Sequence, residues 1–402
     1  MSKYIITAAI VLCLFKVSAQ YKNDNVVYKT VYPQNLKKEL KANQGYLLLD
    51  VRSKGEYADT SSMASANLGH LHNAININVH ELGMRINELK DYKNKPVFVY
   101  CSHSQRSRRA SKMLADSGFT KVFNINGGLT TLIQTNGAVN GLYETNNKYT
   151  IISPQDFCTR VNDKNNYIID IRSDSAFQGI SKNVVTNSMG RIKKSHNIPY
   201  DELDSAIETL PHNKRIIIVD DFGDEGAEAA AMLSKKGFTD VALLFDGLFN
   251  FENTNTTDIT CKNLVWEHPS KYQLISAEEF QQMVNQHLEM PIVDVRTVEE
   301  FTNTSNEVWR NQGRVKNSIN IAATQMTTRW DELYTYKDKP VVIYSSGSDN
   351  AGYEAAEVLT SHDFTKVYLL SGGIWNIRWR ANNIQGKMGL KELITDVPPE
   401  NQ

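Results

Sequence analysis

One cysteine in this chain stands where a thiol could do chemistry. Cys101 ends the apolar run Val97-Phe98-Val99-Tyr100 and opens the polar stretch Ser102-His103-Ser104-Gln105-Arg106-Ser107. A helical pattern then begins at Arg108-Arg109-Ala110-Ser111. A loop between a buried strand and a helix N-terminus turns backbone N–H groups inward and forms an anion cradle, reinforced by the positive end of the helix dipole. A thiol at the mouth of such a cradle sits in an electropositive setting that favours the nucleophilic thiolate. Arg106 and His103 add charge and donors, and Arg108 and Arg109 extend the field. The chemistry to expect is attack by sulfur on a small anionic substrate. A buried, inert thiol is the plainer alternative.

The elements that must hold this loop are written three times. Each copy has an apolar strand ending in an Asp-hydrophobic-Arg triplet: Asp50-Val51-Arg52, Asp170-Ile171-Arg172 and Asp294-Val295-Arg296. Each then has a Gly-led segment at Gly69, Gly190 or Gly313, and a second apolar strand ending at Cys101, Asp220 or Ser345. Gly118-Phe119-Thr120, Gly237-Phe238-Thr239 and Asp363-Phe364-Thr365 follow, and the closing turns are Gly127-Gly128, Asp246-Gly247 and Gly372-Gly373. Continuous apolar strands alternating with helices read as a parallel sheet covered on both faces. Units of this size fold as domains in tandem. Ser153 and Ser276 stand where helix N-caps belong. Residues 145–150 and the polar run 252–257 read as linkers, dividing the chain into units 20–145, 146–260 and 261–402.

Bulk composition excludes some functions. The 402 residues carry a formal charge of -1, which gives no support for nucleic-acid binding. At the N-terminus, Lys3 precedes an apolar run over 4–15 and then Val17-Ser18-Ala19, the pattern of a signal peptide spanning 1–19. That run is too short to span a bilayer comfortably, so the expected product is exported, periplasmic or extracellular, with no membrane span. Beyond that segment only Cys101, Cys158 and Cys261 remain. At most one disulfide can form, and Cys158 with Cys261 is the one pair that spares Cys101. Cys158, in Phe157-Cys158-Thr159, reads at least as well as a small buried hydrophobe.

The Asp-x-Arg strand ends, the segment Gly69-His70-Leu71-His72-Asn73-Ala74-Ile75-Asn76, the Cys-x-x-x-x-Arg-Ser loop and the Gly-Gly turn together resemble the rhodanese (thiosulfate sulfurtransferase) family. The resemblance covers nearly all of the chain after the leader. It implies an α/β fold of three tandem rhodanese-like domains, each a central, mainly parallel sheet flanked by helices. It also implies that Cys101 carries sulfur as a persulfide. The N–H groups from Ser102 to Ser107 would hold the anionic donor, Arg106 would help neutralise it, and cyanide or a thiol would collect the sulfur. No cofactor or metal is implied. Asp50 reads as a backbone anchor, whereas Arg52 could buttress the active loop. The pair His103-Ser104 departs from the glycine often found in the family's loop, and the thiol lies in the first unit rather than the last.

The other copies lack the thiol. Asp220 replaces Cys101 and Glu225 replaces Arg106, in a loop expected to be acidic and solvated. The third loop, Ser345-Ser346-Gly347-Ser348-Asp349, is one residue longer, and no general base stands out beside Ser345. Two rivals follow: a non-enzymatic scaffold, and a phosphatase or arsenate reductase on the same fold. The latter use a Cys-x5-Arg loop, whereas here the arginine comes five positions after Cys101 and Ser107 holds the sixth.

Overall fold

Three short apolar strands in each unit, too hydrophobic to face water on either side, stack at the centre of a five-stranded sheet. The computed structural model describes residues 21–286, 289–384, 386 and 388–399, so the signal-peptide reading of 1–19 lies outside the described residues. In the first unit the strand order is Lys29–Val31, Val122–Ile125, Val97–Tyr100, Leu47–Asp50, Ile75–Asn76, all pairs parallel. The same order recurs in the other two units, again all parallel. Parallel neighbours need crossover helices, and these cover both faces. The central strands are buried along their whole length. Ser153 and Ser276 cap their helices as expected, each completing a reciprocal capping box with Asp156 or Glu279. Among the described residues no helix is long and apolar enough to cross a membrane.

Each unit is closed by a two-stranded antiparallel ribbon. His70–Leu71 pairs with Tyr143–Glu144, Arg191–Ile192 with Trp266–Glu267, and Arg314–Val315 with Ile394–Thr395. The strand that closes the second unit thus lies past residue 260. Cys261 sits in the turn that leads to it and forms a disulfide with Cys158, their Cα atoms 5.5 Å apart. The bond fastens the first helix of the second unit, Pro154–Arg160, to that unit's end.

The units are not beads on a string. Gln134 Nε2 of the first donates to Asn250 Oδ1 of the second at 3.2 Å. One unit further on, Asn376 Nδ2 of the third donates to Asn253 Oδ1 of the second at 2.8 Å. The third unit returns to the first, where Asn126 Nδ2 donates to the Asn382 carbonyl at 2.7 Å. Lys391 also pairs with Asp24 at 3.2 Å. The repeats therefore close into a ring. The stretch 252–257 is consequently no exposed linker. Glu252 and Asn255 are buried, Glu252 accepts from Ser371 Oγ of the third unit, and Lys262 Nζ donates to the carbonyls of Glu252 and Thr254. Its polar composition marks a hydrogen-bonded interior junction, in which only Glu252 Oε2 of these groups is left without a hydrogen bond.

The disulfide closes a loop of sequence separation 103. Cross-linking a loop of that size removes about 4 kcal/mol of unfolded-state entropy. Replacing both Cys158 and Cys261 by alanine should therefore lower the denaturant midpoint of the full chain by an amount equivalent to about 2–4 kcal/mol. Equal midpoints for the two proteins would show that the bond does not stabilise the fold.

Candidate active site

The thiol of Cys101 lies directly beyond the strand Val97–Tyr100 and is only 1% exposed. Burial alone would suit an inert core cysteine; its polar company would not. The Ser104 N–H donates to Sγ at 3.1 Å, and Ser107 Oγ lies 3.6 Å from it. Ser104 makes this possible by adopting a left-handed conformation, φ 85°, just before the helix Gln105–Asp116. That conformation is uncommon outside glycine, and it is held by the side chain: Ser104 Oγ donates to Asn126 Oδ1 and accepts from the Gly127 N–H. The serine thus does what the absent glycine would have done, with hydrogen bonds in place of conformational freedom.

The closing turn fixes the outer side of the loop. Leu129 N donates to the Cys101 carbonyl at 2.9 Å and Thr130 N to the Ser102 carbonyl at 3.1 Å. Gly128, at φ 61°, lies so close that a Cβ there would collide with both carbonyls.

Sequence reasoning assigned Arg106 to the anion; the structure gives it another partner. Its Nη1 and Nη2 donate to the two carboxylate oxygens of Glu56, each at 2.6 Å, and Nη2 also reaches Ser102 Oγ at 2.9 Å. Burial works to raise the pKa of Glu56, but the Arg106 and Ser53 hydrogen bonds outweigh it and hold the carboxyl at about 2. Glu56 is the residue missed. Its signal was the Ser53-x-x-Glu56 capping box together with the joint change in the second unit, where Ala176 and Glu225 stand in place of Glu56 and Arg106. His103 and Gln105 are exposed at the lip, and Ser102 lies between them and the thiol. Although His103 meets solvent, the protein crowded around it lowers its pKa, as does the charge of Arg106.

Asp50 and Arg52 are fully buried and bind each other through both carboxylate oxygens, at 2.8–3.1 Å. Arg52 then donates to the Gly69 carbonyl at 2.6 Å, which ties the strand end to the Gly-led segment and not to the cysteine loop. The same clasp joins Asp170, Arg172 and Gly190, and again Asp294, Arg296 and Gly313. Its presence in the units without a thiol makes it architectural.

In the second loop Asp224 and Glu225 are solvent-exposed as expected, but Asp220 is not. Asp220 is fully buried, and its carboxylate folds back into its own cradle, accepting from Gly223 N at 3.0 Å and Gly226 N at 2.8 Å. The cradle is filled by the protein itself. Burial pushes Asp220 up to about 7, against the pull of those two N–H groups. In the third loop a carboxylate does stand beside the serine, contrary to expectation. The extra residue lets Asp349 turn back, and Ser345 Oγ donates to its Oδ1 at 2.7 Å. Ser345 is buried, and the Trp375 ring lies against Gly347, covering the loop.

A thiol held by inward N–H groups at the start of a helix, on a five-stranded parallel sheet repeated three times, defines a cysteine-loop α/β module. The Rhodanese-like domain family matches residues 33–134, 153–254 and 276–378, well over half of the chain, and the protein belongs to that family. It is 34% identical over 125 residues to "Uncharacterized protein YqhL" of Bacillus subtilis (strain 168), covering 30% of this chain and 87% of that one. It is 31% identical over 91 residues to the tRNA uridine(34) hydroxylase of Buchnera aphidicola, a match covering 22% of this chain and only 26% of the hydroxylase. Among solved structures, the thiosulfate sulfurtransferase from Pseudomonas aeruginosa aligns at 16% identity over 93% of this chain and 70% of its own, with a TM-score of 0.23. A structure described as rhodanese with anions from E. coli aligns at 32% identity over 22% of this chain and 91% of its own, with a TM-score of 0.19.

Breaking one partner of a buried ion pair leaves an uncompensated charge and costs about 3–5 kcal/mol. Arg296→Met in the third unit should therefore destabilise the protein as much as Arg52→Met in the first, read by urea unfolding; a loss confined to Arg52→Met would overturn the architectural reading. Asp220 is raised from 3.8 in the unfolded chain to about 7 when folded. The folded state then binds the extra proton, so its contribution favours folding at low pH and is lost as pH rises from about 4 to 7. The urea midpoint should accordingly fall between pH 5 and pH 8, and Asp220→Asn should flatten part of that slope. An unchanged slope in the variant would exclude Asp220 as a source.

Proposed function

We propose that this protein is a single-site sulfurtransferase in which Cys101 carries sulfane sulfur. The observation that carries the reading is the Ser104 N–H on Sγ at 3.1 Å, at the head of a 12-residue helix. There the N–H groups and helix dipole favour negative charge on sulfur and on an incoming anion. In the first half-reaction the Cys101 thiolate attacks the outer sulfur of thiosulfate or a similar donor. A new S–S bond forms to Cys101, the donor's S–S bond breaks, and sulfite leaves with the electron pair. In the second, cyanide or a thiolate attacks the outer sulfur of the persulfide, and the Cys101 thiolate departs. No net oxidant is needed.

Arg106, anchored by Glu56, positions the loop through Ser102. That arrangement supports the sulfur reading over a phosphatase, whose arginine must reach the substrate's phosphate oxygens. The second unit, with its cradle filled by Asp220, and the third, with its loop covered by Trp375, are assigned no turnover. An exported location fits the Cys158–Cys261 disulfide, since such bonds persist in oxidising compartments.

Intact-mass measurement of the full chain after exposure to thiosulfate should reveal the gain of one sulfur atom, abolished in Cys101→Ser, and added cyanide should release thiocyanate. If wild type gains no sulfur, the reading fails in favour of a scaffold. Cys101-dependent turnover of aryl phosphates would instead favour the phosphatase.

A further inference from the structure

At two joints of the ring a segment of one unit packs on the loop helix of the next, and at the third a cleft takes the place of that contact. At the first, the turn Ala64–Ala66 lies on the loop helix of the second unit, Asp224–Lys235. The void left beside Gly223 and Ala227 is only about 10 Å3. At the second, Val184–Ser188 lies on the loop helix of the third unit, Asn350–Ser361, and Val185, Met189 and Tyr353 share one buried apolar cluster. At the third, the corresponding turn Val308–Arg310 faces the helix Gln105–Asp116 of the first unit across a cleft of about 470 Å3.

Residue changes on both walls keep this joint open. The fourth residue of the loop helix is Ala227 in the second unit and Tyr353 in the third, both buried, but Arg108 in the first. The residue before the Gly-led segment is Leu68 in the first unit and Met189 in the second, both buried, but Gln312 in the third. Apolar packing has given way to long polar side chains that leave space between them.

The cleft has a definite chemistry. One wall carries Trp309, Trp375 and Trp379, with the Trp309 and Trp375 ring centroids 5.5 Å apart. Those two rings remain 52% and 39% exposed, which is unusual for a pair of tryptophans unless a partner covers them. Arg378 lies on the same wall, Arg108 and Lys22 also line the cleft, and among the described residues no carboxylate does. His103 and Gln105, from the loop that carries Cys101, form its lip. The volume suits a small molecule, and an aromatic lining with a few charged groups is the usual build of such sites.

We propose that this open joint between the first and third units is a binding site for a small organic anion with a planar apolar body. The Trp309 and Trp375 rings take the flat body, and Arg378 and Arg108 take the charge. This specificity comes from the third unit and does not depend on the thiol.

Calorimetric titration of the full chain with benzenesulfonate should give saturable binding, while sulfate binds at least tenfold more weakly, as expected where a ring contact adds to the charge. Cys101→Ser should bind as wild type does, and Trp309→Ala should bind about tenfold more weakly. Trp309 is half exposed, so its removal leaves the core intact; Arg378→Gln supplies a second variant. Equal affinity for sulfate and benzenesulfonate, or full affinity in both variants, would overturn the site.

Discussion

The structure depends on one close approach, made three times: the closing turn laid against the loop that follows the central strand. In the first unit Leu129 N and Thr130 N take up the carbonyls of Cys101 and Ser102. Leu248 N and Phe249 N do the same to Asp220 and Asp221, and Ile374 N and Trp375 N to Ser345 and Ser346. With those carbonyls occupied from outside, N–H groups of the first two loops turn to the strand-end side chain, Ser104 N to Cys101 and Gly223 N and Gly226 N to Asp220. The approach leaves no room for a side chain, so Gly128, Gly247 and Gly373 occupy that position at positive φ. The cradle is therefore a property of the fold and precedes any chemistry.

What differs is the side chain the strand end delivers into the cradle. A thiol accepts one N–H, that of Ser104. A carboxylate in the same place accepts two, as Asp220 does from Gly223 and Gly226, and fills the space itself. A serine with one more loop residue turns to its neighbour, as Ser345 does to Asp349. The surrounding charges changed in step. Where Asp220 fills the cradle, Ala176 and an exposed Glu225 stand in place of Glu56 and Arg106, so both partners of the ion pair are gone together.

Much of this was legible in the sequence, for a physical reason. The strand ends, N-caps and glycine turns are local: each is written in a few adjacent residues, and three copies confirm one another. Contacts between distant residues were not legible. Glu56 and Arg106 lie 50 positions apart, and Cys158 and Cys261 are separated by 103. Cys158 could equally have been a buried hydrophobe, since nothing near it in sequence points to Cys261. The run 252–257 was misread because polarity was taken for exposure. Its partners, Ser371 and Lys262, come from another unit and from a later turn. Asp220 misled in the same way: an acidic loop looks solvated until the N–H groups that receive it are in place.

Closing three repeats into a ring gives the thiol-free units a role that follows from geometry alone. In a ring each unit presents one segment to the next unit's loop helix, so the wall opposite any loop belongs to the preceding unit. For the loop of Cys101 that unit is the third, and Trp309, Trp375 and Arg378 are the side chains it presents. Removing the third unit would strip away that wall and expose Tyr21, which packs against the third unit's apolar core. The second unit completes the ring, meeting the first through Asn250 and the third through Asn253. Loss of the thiol from two copies is thus compatible with strict retention of their fold, because the remaining site is built from more than the unit that bears the cysteine.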